Sequence, residues 1–155
     1  MPEIGTKAPI LEGETTSGRF SLSNHSGKQV VVYFYPKDMT PGCTTEARDF
    51  RDAIADFEAA NTIIVGVSKD SVARHEKFQD KECLPFPLIS DESGELCEAW
   101  GVWQEKKNYG KTYMGIVRST FLIDSTGSIA EAWNKVRVKG HVEAVLAEAQ
   151  KHSKA

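Results

Sequence analysis

Cys43 is the residue of this chain most clearly placed to do chemistry. It follows Thr40-Pro41-Gly42, and an apolar stripe at Ala47, Phe50, Ile54 and Phe57, spaced 3, 4 and 3, predicts a helix from Cys43 to Ala60. Pro41 and Gly42 break the structure before it. A thiol in a helix's first turn meets unpaired N–H groups and the positive end of the macrodipole. Both favour the thiolate, which is the nucleophile and the form that is oxidised. A dithiol exchanger would carry a second cysteine at Thr40. The threonine hydroxyl can orient a small oxygen-containing substrate beside the sulfur but cannot form a disulfide. Pro36 ends the segment Tyr33-Phe34-Tyr35 and can also shield the sulfur from water.

The elements that must hold these residues follow in chain order. Thr15-Thr16-Ser17-Gly18-Arg19-Phe20 reads as an N-terminal hairpin around a Ser-Gly turn. Gln29 to Tyr35 is apolar almost throughout, as a central strand covered on both faces would be, and Thr62 to Ser68 reads the same way. With the Cys43 helix between them they form a parallel crossover unit, and Asn61 is placed to end that helix. A further helix runs from Asp70 or Ser71 to about Cys83, followed by a short strand near Leu88-Ile89 and a short helix from Glu95 to Trp100. Gln104 to Lys111 is polar and reads as exposed loop. Ser119 to Ile123 and Ser128 to Trp133 form a hairpin, and a last helix from His141 presents Val142, Val145, Leu146 and Ala149 on one face. The fold class is α/β, a central mixed sheet flanked by helices, in the order of a thioredoxin-like sheet.

Composition bounds the function. The 155 residues, 40% hydrophobic and 26% charged, suit one globular domain, and a net charge of −3 argues against nucleic acid or an anionic membrane as partner. No apolar run approaches the ~20 residues that span a bilayer. Met1 to Lys7 lacks the basic start and apolar run of a signal peptide, so the cytoplasm is expected. Three cysteines without clustered ligand spacing read neither as a disulfide framework nor as a zinc site. No metal or organic cofactor is expected.

Pro36-x-x-x-Thr40-x-x-Cys43 resembles the active-site motif of the peroxiredoxins. Tyr33 to Thr44, Phe86 to Asp91, Gly101-Val102-Trp103 and Arg118 to Asp124 are similar to the bacterioferritin comigratory protein or peroxiredoxin Q subfamily. The resemblance implies a thioredoxin-like fold and a monomeric thiol peroxidase acting on hydrogen peroxide and organic hydroperoxides. Cys43 would be the peroxidatic nucleophile, passing through a sulfenic acid, and thioredoxin or a similar thiol donor would reset it. Thr40, Pro36 and Arg118 match residues that surround the catalytic sulfur. Some members carry a resolving cysteine five residues after the peroxidatic one, where this chain has Arg48. Others carry it on the following helix, which points to Cys83, although about one turn beyond the usual position. A one-cysteine mechanism with a structural Cys83 stays open.

Plainer readings stand beside these. Glu46, Arg48 and Asp49 read as solvated helix positions, Cys97 as packing, and His25, His75, His141 and His152 as surface residues. A cysteine hydrolase would need a base beside Cys43, and no histidine is tied to it by a motif. A non-catalytic thioredoxin-like binding module is the other alternative.

Overall fold

Every residue of strand β3 (Gln29–Phe34) is buried, and the strand feeds two hydrophobic cores. Val31 and Tyr33, continued by Tyr35, face one core, while Val30, Val32 and Phe34 face the other. This is why the run carries no polar alternation. In the computed structural model, which describes residues 1–153, β3 is an interior strand of a seven-stranded mixed sheet, next to its middle strand. The sheet also contains β1 (Glu12–Thr15), β2 (Gly18–Ser21), β4 (Thr62–Ser68), β5 (Leu88–Ser90), β8 (Ser119–Ile123) and β9 (Ile129–Trp133). The strand order is β2-β1-β5-β4-β3-β8-β9, with β4 parallel to β3 and β8 antiparallel to it.

The first core lies under helices α1 (Pro41–Asp52), α2 (Ile54–Ala59), α3 (Val72–Glu82) and α5 (His141–Ser153), where Phe50, Phe57, Phe78 and Val145 are fully buried. Removing a ring such as that of Phe50 would cost about 3–5 kcal/mol. The second core lies against α4 (Glu95–Ala99), with Leu96, Cys97 and Trp100 packed on Phe34 and Phe121. Cys97 is therefore packing, as expected, and burial together with Asp91 raises its thiol pKa far above the ordinary range.

The expected helix over 43–60 begins two residues earlier and is interrupted. Ala53 leaves helical geometry at φ −100° and ψ 5°, dividing it into α1 and α2, and Asn61 then ends it at φ 56°. The break leaves the apolar spacing intact, because Phe50 and Phe57 both still reach the core. The stretch Gln104 to Lys111 is not loop. It belongs to a ribbon of β6 (Trp103–Asn108) and β7 (Lys111–Ile116), closed by Tyr109 and Gly110 at φ 52° and 77°, the two positive values that a tight hairpin turn of the primed type uses.

Candidate active site

The strand register explains how residues distant in sequence meet at the sulfur. Phe34 pairs with Ser119 across β3 and β8, so Arg118 stands one step further on, at the end of β3 where the chain turns into α1. Cys43 is the third residue of α1, 1% exposed, and Arg118 Nη2 donates to its Sγ at 3.4 Å. Gly42 makes room for this approach, since a Cβ there would lie 3.3 Å from Arg118 Nη2. Pro36 and Thr40 are half-buried on the connecting loop. Thr40 Oγ1 donates to the Lys37 carbonyl at 2.9 Å, which leaves its lone pairs to accept a hydrogen bond. The structure thus brings Cys43, Thr40, Pro36 and Arg118 to one end of β3.

Glu46 corrects the sequence reading. It is not solvated: its side chain is fully buried one turn after Cys43, and Oε1 accepts from Arg118 Nη1 at 2.6 Å. Burial pushes its carboxyl up to about 7, against the opposing pull of Arg118. Burial likewise disfavours the charge on Arg118, yet Glu46 and Cys43 together hold its pKa above the ordinary value. The guanidinium is a fixed cation between two acids. Tyr33, stacked on Phe50 at 4.6 Å, keeps its proton well above its usual range through burial, then Glu46 and Cys43. Its ring fits because β4 carries Gly66, where a Cβ would lie 3.0 Å from it.

A second buried network fixes the loop between β3 and α1. Asp38 and His75 are both fully buried and share a hydrogen over 2.6 Å, so His75 is no surface residue. His75 Nε2 donates to the Ile89 carbonyl at 3.0 Å, and Tyr35 Oη donates to Asp38 Oδ1 at 2.5 Å. The Asp38 N–H donates to Asp70, and Arg74 donates to the Asp38 carbonyl. The loop before Cys43 is thereby tied to the start of α3, while Met39 holds a left-handed φ of 64°. Asp38, Asp70 and His75 place potential metal-ligand atoms within 4.8 Å of one another. Their oxygens and nitrogens are already satisfied by Tyr35, Ser68, Arg74 and the backbone, which is the pattern of a structural network. His141 is also buried, with Nε2 at 2.8 Å from Thr120 Oγ1.

Cys83 is exposed at the C-terminal end of α3, at φ 54°, so it is not a packing residue. Arg51 donates to the carbonyl of its neighbour Glu82, and Arg48 Nε lies 2.6 Å from the Glu82 carboxylate. Arg51 is eight residues beyond Cys43 on α1. At ~1.5 Å of rise per residue this sets Cys83 beside a point about 12 Å along the helix from the catalytic end.

A thioredoxin-like sheet with a lone helix-start cysteine under an arginine, and a hydroxyl where a second thiol would be, defines a thiol enzyme that works by oxidation of one sulfur. The sequence matches the AhpC/TSA family over residues 4–132, and the chain belongs to that family. It is 54% identical over 145 residues to the Peroxiredoxin Bcp of Bacillus subtilis, covering 93% of this chain and 92% of that one. To the Peroxiredoxin Bcp of Xanthomonas campestris it is 49% identical over 155 residues, covering 99% and 95%. The solved structure of the Xanthomonas campestris bacterioferritin comigratory protein, studied for its alkyl peroxide reduction activity, superposes with a TM-score of 0.90 at 43% identity, covering 97% of this chain and 99% of that one. The chain is thus a peroxiredoxin, a thiol peroxidase of thioredoxin fold.

Proposed function

We propose that Cys43 is the peroxidatic residue of a one-domain, monomeric, cytoplasmic peroxidase that takes hydrogen peroxide and organic hydroperoxides and is recycled by thioredoxin. The observation that carries this reading is the 3.4 Å contact from Arg118 to the buried Cys43 sulfur, at a helix start that lacks a second thiol. The Cys43 thiolate attacks the nearer peroxide oxygen and the O–O bond breaks. The far oxygen leaves, taking a proton, as water or alcohol, and Cys43 becomes a sulfenic acid. Arg118 stabilises the charge that develops on the departing oxygen, Thr40 Oγ1 accepts from the peroxide hydroxyl, and Pro36 limits water.

In the reading we favour, the Cys83 thiol then attacks the sulfenic acid, expelling water and forming a disulfide, which the thiol donor reduces. The exposure of Cys83 supports this. A disulfide needs Cα atoms within about 7 Å, so the first turns of α1 must unwind and the links from Arg48 and Arg51 to Glu82 must yield. Three unpaired thiols are consistent with a reducing compartment.

Peptide mapping after one equivalent of peroxide tests the cycle. An intramolecular Cys43–Cys83 disulfide is expected in the parent, with sulfenic acid accumulating in Cys83→Ser. Normal thioredoxin-coupled turnover in that variant, with no disulfide in the parent, would instead establish a one-cysteine mechanism.

A further inference from the structure

Glu46 is a buried acid at the centre of the site for which the reaction described above has no use. Its Oε1 is held by Arg118 at 2.6 Å, but its Oε2 is buried without a hydrogen-bond partner. A bare carboxylate oxygen in an apolar core is costly, and protonation relieves most of that cost. The same guanidinium donates to Cys43, so its two anionic partners compete for one charge. With both ionised, the cluster carries an excess negative charge beneath the spot where more negative charge must develop. With Glu46 protonated, Arg118 and the thiolate balance. We propose that Glu46 is a positioning residue whose proton controls Arg118: neutral Glu46 leaves the guanidinium to the thiolate and the departing oxygen, and ionised Glu46 draws it away.

This inference rests on the assignment of Cys43 and Arg118 above. It concerns pH, because burial carries the Glu46 carboxyl up to about 7, where both of its forms are populated. The charged and titratable groups around the cluster are Cys43 and Asp49 from α1, Tyr33 from β3, Asp38 from the loop that follows, Lys106 from β6 and His141 from α5. Tyr33 is held neutral by burial, and so is His141, whose pKa burial and Arg118 lower to about 4. Neither changes charge near neutrality. Lys106 feels both Arg118 and Cys43, and burial makes its ammonium easier to deprotonate.

Glu46→Gln is the discriminating variant, since its amide oxygen can still accept from Arg118 while its charge no longer changes with pH. Reduced wild type and variant are mixed rapidly with hydrogen peroxide between about pH 5.5 and 9, with the thiolate fraction followed by ultraviolet absorbance. In wild type the oxidation rate per thiolate is expected to fall on the order of tenfold as pH rises through the titration of Glu46, and in Glu46→Gln it is expected to stay level. Parallel profiles would overturn the proposal, as would a uniform loss in the variant at every pH, which is what a purely structural Glu46 gives. Should the variant fold poorly, infrared spectra of the wild type decide: a protonated-carboxyl band lost near pH 7 supports the proposal. No such band overturns it. Peroxide turnover in Cys43→Ser, run alongside, would instead overturn the assignment of the nucleophile itself.

Discussion

Arg118 reaches Cys43 at 3.4 Å and Glu46 at 2.6 Å with the two ends of one guanidinium, so its substitution should be felt in the chemistry first. Arg118→Ala is expected to slow Cys43 oxidation by about 10²–10³, the scale for losing one preorganised donor to a developing anion. Rapid mixing with peroxide measures this directly. An unchanged rate would remove Arg118 from the reaction. Arg118→Lys should recover little, because an ammonium cannot span both acids as the planar fork does. Gly42 belongs to the same geometry, since any side chain there crowds the 3.3 Å space beside Arg118 Nη2.

Among the elements, the tie between the active-site loop and α3 carries the clearest consequence for stability. His75→Ala leaves the fully buried Asp38 Oδ2 without its partner, and an unsatisfied buried acceptor costs about 1–3 kcal/mol. Denaturant unfolding should show that loss, and a change within about 0.5 kcal/mol would mean that the network contributes nothing. Periodicity revealed the helix that carries Cys43, because a stripe such as Ala47, Phe50, Ile54 and Phe57 must face a core. It could not reveal the break at Ala53, which leaves that stripe facing the core. The β6–β7 ribbon escaped because its strands are mostly exposed and carry no apolar alternation, although Tyr109-Gly110 was a turn signal. Glu46 and His75 looked solvated among charged neighbours. What buries them is Arg118 in the first case and Asp38 in the second, partners 72 and 37 residues away. Cys43 was legible as a reactive thiol from its helix-start context and spacing, whereas the roles proposed for Thr40, Pro36 and Arg118 came from the family resemblance.

For the molecule as a whole, two buried groups make stability depend on pH in opposite directions. Folding raises Glu46 from 4.5 to about 7, so between those values the native state holds a proton that the unfolded chain has released, and stability falls as pH rises. Folding lowers His141 from 6.5 to about 4, so over that range the unfolded chain binds the extra proton, and stability rises with pH. Each effect is about 3.5 kcal/mol at most, at ~1.4 kcal/mol per pH unit, and in wild type they nearly cancel. Glu46→Gln should expose the rising curve and His141→Gln the falling one in urea titrations across this range. Identical slopes in the two variants would refute the opposition. The central claim is that peroxide is reduced at Cys43, and sulfenic acid trapping tests it most directly. The Cys83→Ser protein is treated with one equivalent of hydrogen peroxide, labelled with a sulfenic-acid reagent and mapped. The label is expected on Cys43, and Cys43→Ser is expected to consume no peroxide with thioredoxin. A label on Cys97 with none on Cys43, or undiminished turnover in Cys43→Ser, would contradict it.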